Sequence, residues 1–240
     1  MFQIPELGFE IQEITNGNTQ HLEDLISLYL RLFPQYERYV AVMRRRAARS
    51  PSAASPFIEH QWLALINGLP AGMMVFKYNH RRNCGLGLDL GVLPEFRRIK
   101  YKQYTRLAKL LVDLRREQLI HDASSLGNPL PIGALVEVES PRTVARFKEY
   151  GMRLLPIKYW EPPIPEDAFD LIDRQTAEQV GFKPMHLGIY PINYDTFNPK
   201  DPSQLEDFVK GYLVDHYGLP ETHWAVQEAL QSISTEESVK

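Results

Sequence analysis

Four cations fall within six residues, Arg97, Arg98, Lys100 and Lys102. They follow Pro94, which ends an apolar run, and precede a stretch of helical periodicity, so they read as the basic opening of a helix. Cations at a helix start oppose its dipole by about 0.3–1 kcal/mol each. The same place offers free N–H groups to an anion, so a bound pyrophosphate would reverse the penalty. Carboxylates form the second group. Asp89 shares one face of the run 85–92 with Gly85, Gly87 and Gly91, a face that leaves room for a backbone or ligand. Glu137 and Glu139 share a face of the run 132–139, about 6.5–7 Å apart by strand geometry. Each carboxylate could take a proton from an amine, directly or through water. Equally, the two glutamates suit an exposed strand face and Asp89 a surface position near a turn.

The elements that position these groups follow from periodicity. Glu10–Thr15 alternates as a strand, and Leu22, Leu25, Ile26, Tyr29 and Leu30 make a helical stripe that Pro34 interrupts. A second helix runs to about Arg46, and Arg44-Arg45-Arg46 reads as its solvated end. The Ser/Ala/Pro stretch 48–56 is expected to be a mobile loop. Asn67-Gly68 between two apolar runs predicts a hairpin. The long helix is expected over 102–120. Ser140 and Pro141 open the next helix, and Gly151 ends it. Strands are expected over 154–160 and 185–192, with an insertion at 165–183 that holds a short helix. Two tail helices are expected at 203–216 and 221–232, then frayed residues from 234 on.

Three segments together resemble the GCN5-related N-acetyltransferase (GNAT) superfamily. They are LGVLPEFRRIKYKQYTRLAKLL at 90–111, VEVESPRTVARFKEYGM at 136–152, and the pair LLPIKYWEPP and MHLGIYPI. The resemblance covers roughly residues 10–192. It implies an α/β (α+β) fold, with a mixed central sheet of about six to seven strands flanked by helices. Residues 1–195 would form the transferase domain, and 196–240 a helical extension packed on it. It also implies acetyl-CoA as co-substrate, held by Leu90, Val92, Arg97, Arg98, Lys100, Tyr101 and Lys102. The implied activity is transfer of an acyl group to a primary amine of a small molecule or peptide. An acyl-carrier-protein donor and a non-catalytic acyl-CoA-binding module are the alternatives. The chain departs from the family pattern in two ways. Lys100, Tyr101 and Lys102 stand where loop glycines are usual, and Phe147 stands where a proton-donating Tyr is common.

Composition bounds the remaining classes. The 240 residues carry 27 Lys and Arg against 30 Asp and Glu, a net charge of −3, which argues against general nucleic-acid binding. No apolar run reaches the roughly 18–20 residues that span a bilayer, so no membrane partner is expected. The N-terminus lacks a basic, apolar leader pattern, and a cytoplasmic protein is expected. The single cysteine, Cys84, reads as a buried strand-edge thiol, and the seven histidines show no metal-ligand spacing. A homodimer is possible on this reading.

Overall fold

The computed structural model describes residues 2–50, 55–163 and 181–235. The helix expected inside the insertion, the middle of the loop 48–56 and the end of the tail fall on 164–180, 51–54 and 236–240, outside the described residues. The chain forms two compact units. One comprises Met1–Tyr78 with Gly87–Gly127, the other Asn79–Leu86 with Asn128–Lys240.

In the first unit the strands run in the order β1 (Gln3–Ile4), β2 (Phe9–Glu13), β3 (Phe57–Ile66), β4 (Leu69–Asn79) and β5 (Cys84–Val92). Asn67 and Gly68 both take positive φ, 50° and 75°, the geometry that a two-residue hairpin turn requires. Helices α1 (Leu22–Leu32) and α2 (Val40–Ala48) are joined by a 3₁₀ segment over Pro34–Tyr39. Leu22, Leu25, Ile26 and Tyr29 bury the expected stripe of α1 against Leu63, Leu65, Met73 and Val75 of the sheet.

The second unit orders β5, β8 (Gly133–Val138), β11 (Lys183–Pro191) and β10 (Tyr159–Glu161), with β9 (Arg153–Leu154) also on β11. The Ile132 N–H donates to the Asn83 carbonyl at 3.1 Å. These residues immediately precede β8 and β5, so the two strands start side by side and run parallel. β11 pairs antiparallel with β8, so the sheet is mixed, as the fold class requires. Helix α4 (Pro141–Glu149) has Ser140 as its cap, accepting from Thr143 N–H. It ends in a paired 5→2 and 6→1 closure: Gly151 N–H bonds the Lys148 carbonyl and Met152 N–H that of Phe147.

The structure departs from the sequence expectations in several places. The long helix, α3, spans Leu107–Ser125 rather than 102–120. The basic segment before it is a hairpin, β6 (Arg98–Tyr101) with β7 (Tyr104–Arg106). Its alternation of exposed cations with Ile99 has the period of a strand, and Lys102 at φ +48° turns the chain. Pro156 lies between the two short strands found where one was expected over 154–160. The first tail helix is α5 (Pro202–Lys210), which widens into a π-helical turn at Gly211–His216; α6 (Trp224–Thr235) follows. The glycine face of β5 is not open at Gly91. A Cβ there would meet Leu32 Cδ1 at 2.6 Å and the Phe33 ring at 3.0 Å, so the end of α1 packs directly on the strand. Among the described residues, the short β1 and β9 bring the sheet to nine strands, where six to seven were expected.

α3 is fastened to the sheet of the first unit by a buried ion cluster. The His60 ring bonds Glu13 Oε2 through Nδ1 at 2.8 Å and Asp122 Oδ2 through Nε2 at 3.0 Å. Ionised carboxylates only accept, so both ring nitrogens must donate and the ring is an imidazolium. Burial lowers its pKa, but the bonds to Asp122 and Glu13 outweigh burial and raise it to about 9. Trp62 Nε1 also donates to Glu13 at 2.8 Å, and Gln118 Nε2 to Asp122 at 2.8 Å. A raised folded-state pKa stabilises fully below the unfolded value and is lost as pH rises through the folded one. Urea unfolding should therefore show stability falling between about pH 6.5 and pH 9. His60→Gln should cost about 3–5 kcal/mol at pH 6.5 and flatten that slope.

Candidate active site

The basic residues lie in the first unit, just before α3. Arg98, Lys100, Lys102 and Arg106 are all exposed on the β6–β7 hairpin. Arg98 and Arg106 are direct cross-strand partners. Like charges placed opposite each other destabilise a pair of strands. No acidic residue occurs between Arg97 and Val112. Tyr101 and Tyr104 flank the turn as partners, with rings 6.4 Å apart and 7° from parallel, and Lys102 Nζ sits 4.9 Å over the Tyr101 ring. Arg97 lies at the hairpin's base. Its Nε donates to the Val92 carbonyl at 3.4 Å, and its own carbonyl accepts from Leu107 N–H at 3.3 Å. α3 then starts with Arg106 in extended geometry, no side-chain cap and no acidic residue in its first turn. That N-terminus is therefore left electropositive, beside four exposed cations. Leu90 is half-buried on β5, and Val92 ends that strand, buried. Sequence reasoning missed Arg106, because the helix was expected to begin before it.

Asp89 lies two residues before Gly91 on β5 and is half-buried. Burial pushes its carboxyl up to about 6, against the opposing pull of the Arg46 guanidinium. Arg46 is not a solvated helix end; it is 9% exposed. Its NH1 donates to Gln61 Oε1 at 3.3 Å, and its Nε lies 3.6 Å from Glu59 Oε1. Lys77 Nζ pairs with the same Glu59 oxygen at 2.9 Å and sits 4.7 Å over the Phe57 ring. Burial pushes the Lys77 amine down to about 8. Arg49 NH1 lies 3.8 Å from the other Glu59 oxygen, and Arg44 pairs with Glu23 on α1.

The two glutamates lie in the second unit, in unlike surroundings. Glu137 on β8 accepts from the hydroxyls of Tyr159 and of Tyr217, the latter at 3.0 Å to Oε2 and 3.2 Å to Oε1. The Tyr212 ring lies 6.2 Å from Tyr159 and 6.5 Å from Tyr217, and its hydroxyl donates to the Leu135 carbonyl at 3.3 Å. Glu139 lies beyond the end of β8; its side chain is 63% exposed and 3.7 Å from Lys183 Nζ. Phe147 on α4 packs its ring 6.3 Å from those of Tyr150 and Tyr190. Cys84 is buried at the start of β5, and burial raises its thiol well above the usual range. Among the described residues, no group of three His, Cys, Asp or Glu could hold a metal ion, and no helix is long and apolar enough to cross a membrane.

No protein-family model matches this chain, and no curated protein does. Its fold is similar to those of solved acetyltransferases at low identity. The ribosomal-protein-S18-alanine N-acetyltransferase of Escherichia coli is 13% identical, covering 79% of this chain and 99% of its own, with a TM-score of 0.45. Tetrahymena GCN5 is 13% identical over 78% of this chain and 99% of its own, with a TM-score of 0.46. A Bacillus subtilis acetyltransferase in complex with CoA is 16% identical over 77% and 98%, with a TM-score of 0.43. At these identities and TM-scores the likeness bears on neither the substrate nor the role of any residue.

Proposed function

We propose that this chain is an acyltransferase that takes an acyl group from coenzyme A and delivers it to a primary amine. The reading takes residues 1–195 as the transferase part and 196–240 as its helical extension. One observation carries it. A hairpin with Arg98 set directly opposite Arg106 stands before an uncapped helix N-terminus, with no carboxylate in that stretch of sequence. Such a place suits a polyanion, and the phosphates of coenzyme A fit its charge. Arg98, Lys100, Lys102 and Arg106 would hold them, with side chains doing what a glycine-rich loop does through its backbone. Tyr101 presents its ring beside these cations, and Arg97 braces the hairpin. When bound, a coenzyme A thioester supplies an acyl carbon open to attack by a neutral amine.

Of the three candidate carboxylates, Asp89 suits proton removal best. Its pKa of about 6 leaves it ionised at neutral pH yet a stronger base than an ordinary aspartate. Glu137 is held by two tyrosine hydroxyls and fits an anchoring role. Glu139 is largely exposed.

Three outcomes test this reading. By calorimetry, Arg98→Ala and Arg106→Ala should each weaken coenzyme A binding about 10- to 100-fold, which is about 1.5–3 kcal/mol per contact. The loss should be largest at low salt; unchanged affinity in both variants removes the phosphate site. Lys102→Gly should act in opposite directions on two readouts. It relieves a left-handed residue and should stabilise the protein by about 1 kcal/mol in urea unfolding, while coenzyme A affinity drops. In an acetyl-CoA consumption assay over a panel of amines, kcat/KM should fall as pH drops below about 6. Asp89→Asn should lower kcat about 10²- to 10⁴-fold without changing coenzyme A affinity. Full activity in that variant assigns the proton to another group.

A further inference from the structure

We propose that His223 makes α6 an acid-released strap: protonation of its ring frees the start of that helix and uncovers the aromatic face beneath it. This strap is independent of the transferase reading.

His223 stands immediately before α6. Its carbonyl accepts from Gln227 N–H at 3.0 Å, and its ring Nδ1 accepts from Ala225 N–H at 3.2 Å. The residue is therefore the cap of α6, and a ring nitrogen does there what a Ser or Asp oxygen usually does. A nitrogen that accepts carries no proton, so the ring is neutral and its single proton is on Nε2. Nε2 is buried and has no hydrogen-bond partner among the described residues. Phe182 stacks on the ring at 5.6 Å and 15°, and the Trp224 ring lies at 5.4 Å. Trp224 in turn meets Trp160 of β10 at 5.7 Å. Ala225, Val226, Ala229 and Ile233 are buried on α6, and Ser232 Oγ accepts from Lys158 N–H at 3.0 Å.

A second proton on this ring must go to Nδ1. It would point at the Ala225 N–H and turn the cap bond into a repulsion. It would also set a positive charge at the positive end of the helix dipole. The Phe182 face attracts a cation, but the ring cannot keep that stack once it turns away from Ala225. Among the described residues, no carboxylate is bonded to the ring to answer the charge. Glu221 is engaged by Lys210 at 3.0 Å, and Lys210 also by Glu206 at 2.7 Å. Glu161 and Lys183 are partners across β10 and β11. Glu228, five residues on, stands about 140° round the helix axis at about 100° per residue. His216 faces Tyr212 and Tyr217. Burial lowers the pKa of the His223 ring. His60 is the opposite case, since a carboxylate at each ring nitrogen holds it charged. A lowered folded-state pKa leaves the cap intact above the ordinary histidine value of about 6.5 and removes it as pH falls below that value. The first turn of α6 then opens, and Trp160 and Phe182 lose their cover.

The test is hydrogen exchange by mass spectrometry on the full chain at pH 7.5 and pH 5.5, with rates corrected for the intrinsic pH dependence of amide exchange. Peptides over α6 should exchange about 5- to 10-fold faster at pH 5.5, because one pH unit below the ordinary histidine value is worth about tenfold. Peptides over α3 should keep their protection. His223→Asn retains an uncharged cap acceptor, so it should match the wild type at pH 7.5 and lose the pH response. Unchanged protection of α6 in the wild type at pH 5.5 overturns the proposal. So does an equal loss over α3, which marks general acid unfolding. The same pH response in His223→Asn also overturns it and assigns the effect to another group such as His216. If His223→Asn leaves α6 unprotected at pH 7.5, titration of the wild-type ring by NMR decides. A ring that titrates below about 6.5 in step with the loss of α6 protection supports the strap; one that titrates at or above that value overturns it.

Discussion

A protonated histidine buried between two carboxylates is the interaction on which the first unit depends most. Glu13 ends β2, His60 lies in β3 and Asp122 lies near the end of α3, so one ring ties three elements together. The ring also stacks on Phe76 at 4.6 Å, which leaves it little rotational freedom. An imidazolium in such a place is stable only with both carboxylates at hydrogen-bond distance. The helix cannot slide or rotate without stranding charge in the core. That fixes where the opposite end of α3 begins, and with it the position of the basic hairpin. The requirement for charge neutrality at one end of a 19-residue helix thus sets the position of the proposed anion site at the other.

Glu59, Lys77 and Arg46 follow the same rule of local compensation. Glu59 answers Lys77 and Arg46, and Arg46 in turn moderates the ionisation of Asp89. Asp89 is the member of this set whose pKa burial lifts toward neutrality. In the second unit, Glu137 accepts from the hydroxyls of Tyr159 and Tyr217, which makes it a fixed acceptor for the tail. Three carboxylates that look alike on paper, Asp89, Glu137 and Glu139, end half-buried on β5, bonded to two tyrosine hydroxyls, and exposed near Lys183.

The legible parts of the sequence were those that local rules decide. Asn67-Gly68 announces its turn because asparagine and glycine tolerate positive φ. Ser140-Pro141 announces a helix start for equally local reasons. The β6–β7 hairpin was hidden because a lysine occupies the left-handed position, where glycine would have marked the turn. Without that mark, four cations before an apolar helical pattern looked like part of the helix. The candidate site was legible only in its residue types. Glu137 finds its partners 22 and 80 residues away, and periodicity says nothing about such distances. Arg46 was misread because a helix end rich in arginine is usually solvated, whereas Glu59 and Gln61 draw this one inward.

The π-helical turn at Gly211–His216 has a consequence for how the tail is phased. Such a turn accommodates one residue more than the α-helix around it. Successive residues of an α-helix are rotated by about 100° about the axis. A residue added to a regular helix would swing everything after it through that angle, whereas the wide turn takes up its surplus within a single turn. Tyr217, the first residue beyond the turn, keeps the phase that brings its hydroxyl to Glu137. The register of the tail on β8 is thereby insulated from the length of the segment before it, as slack in a rope is taken up by one loop.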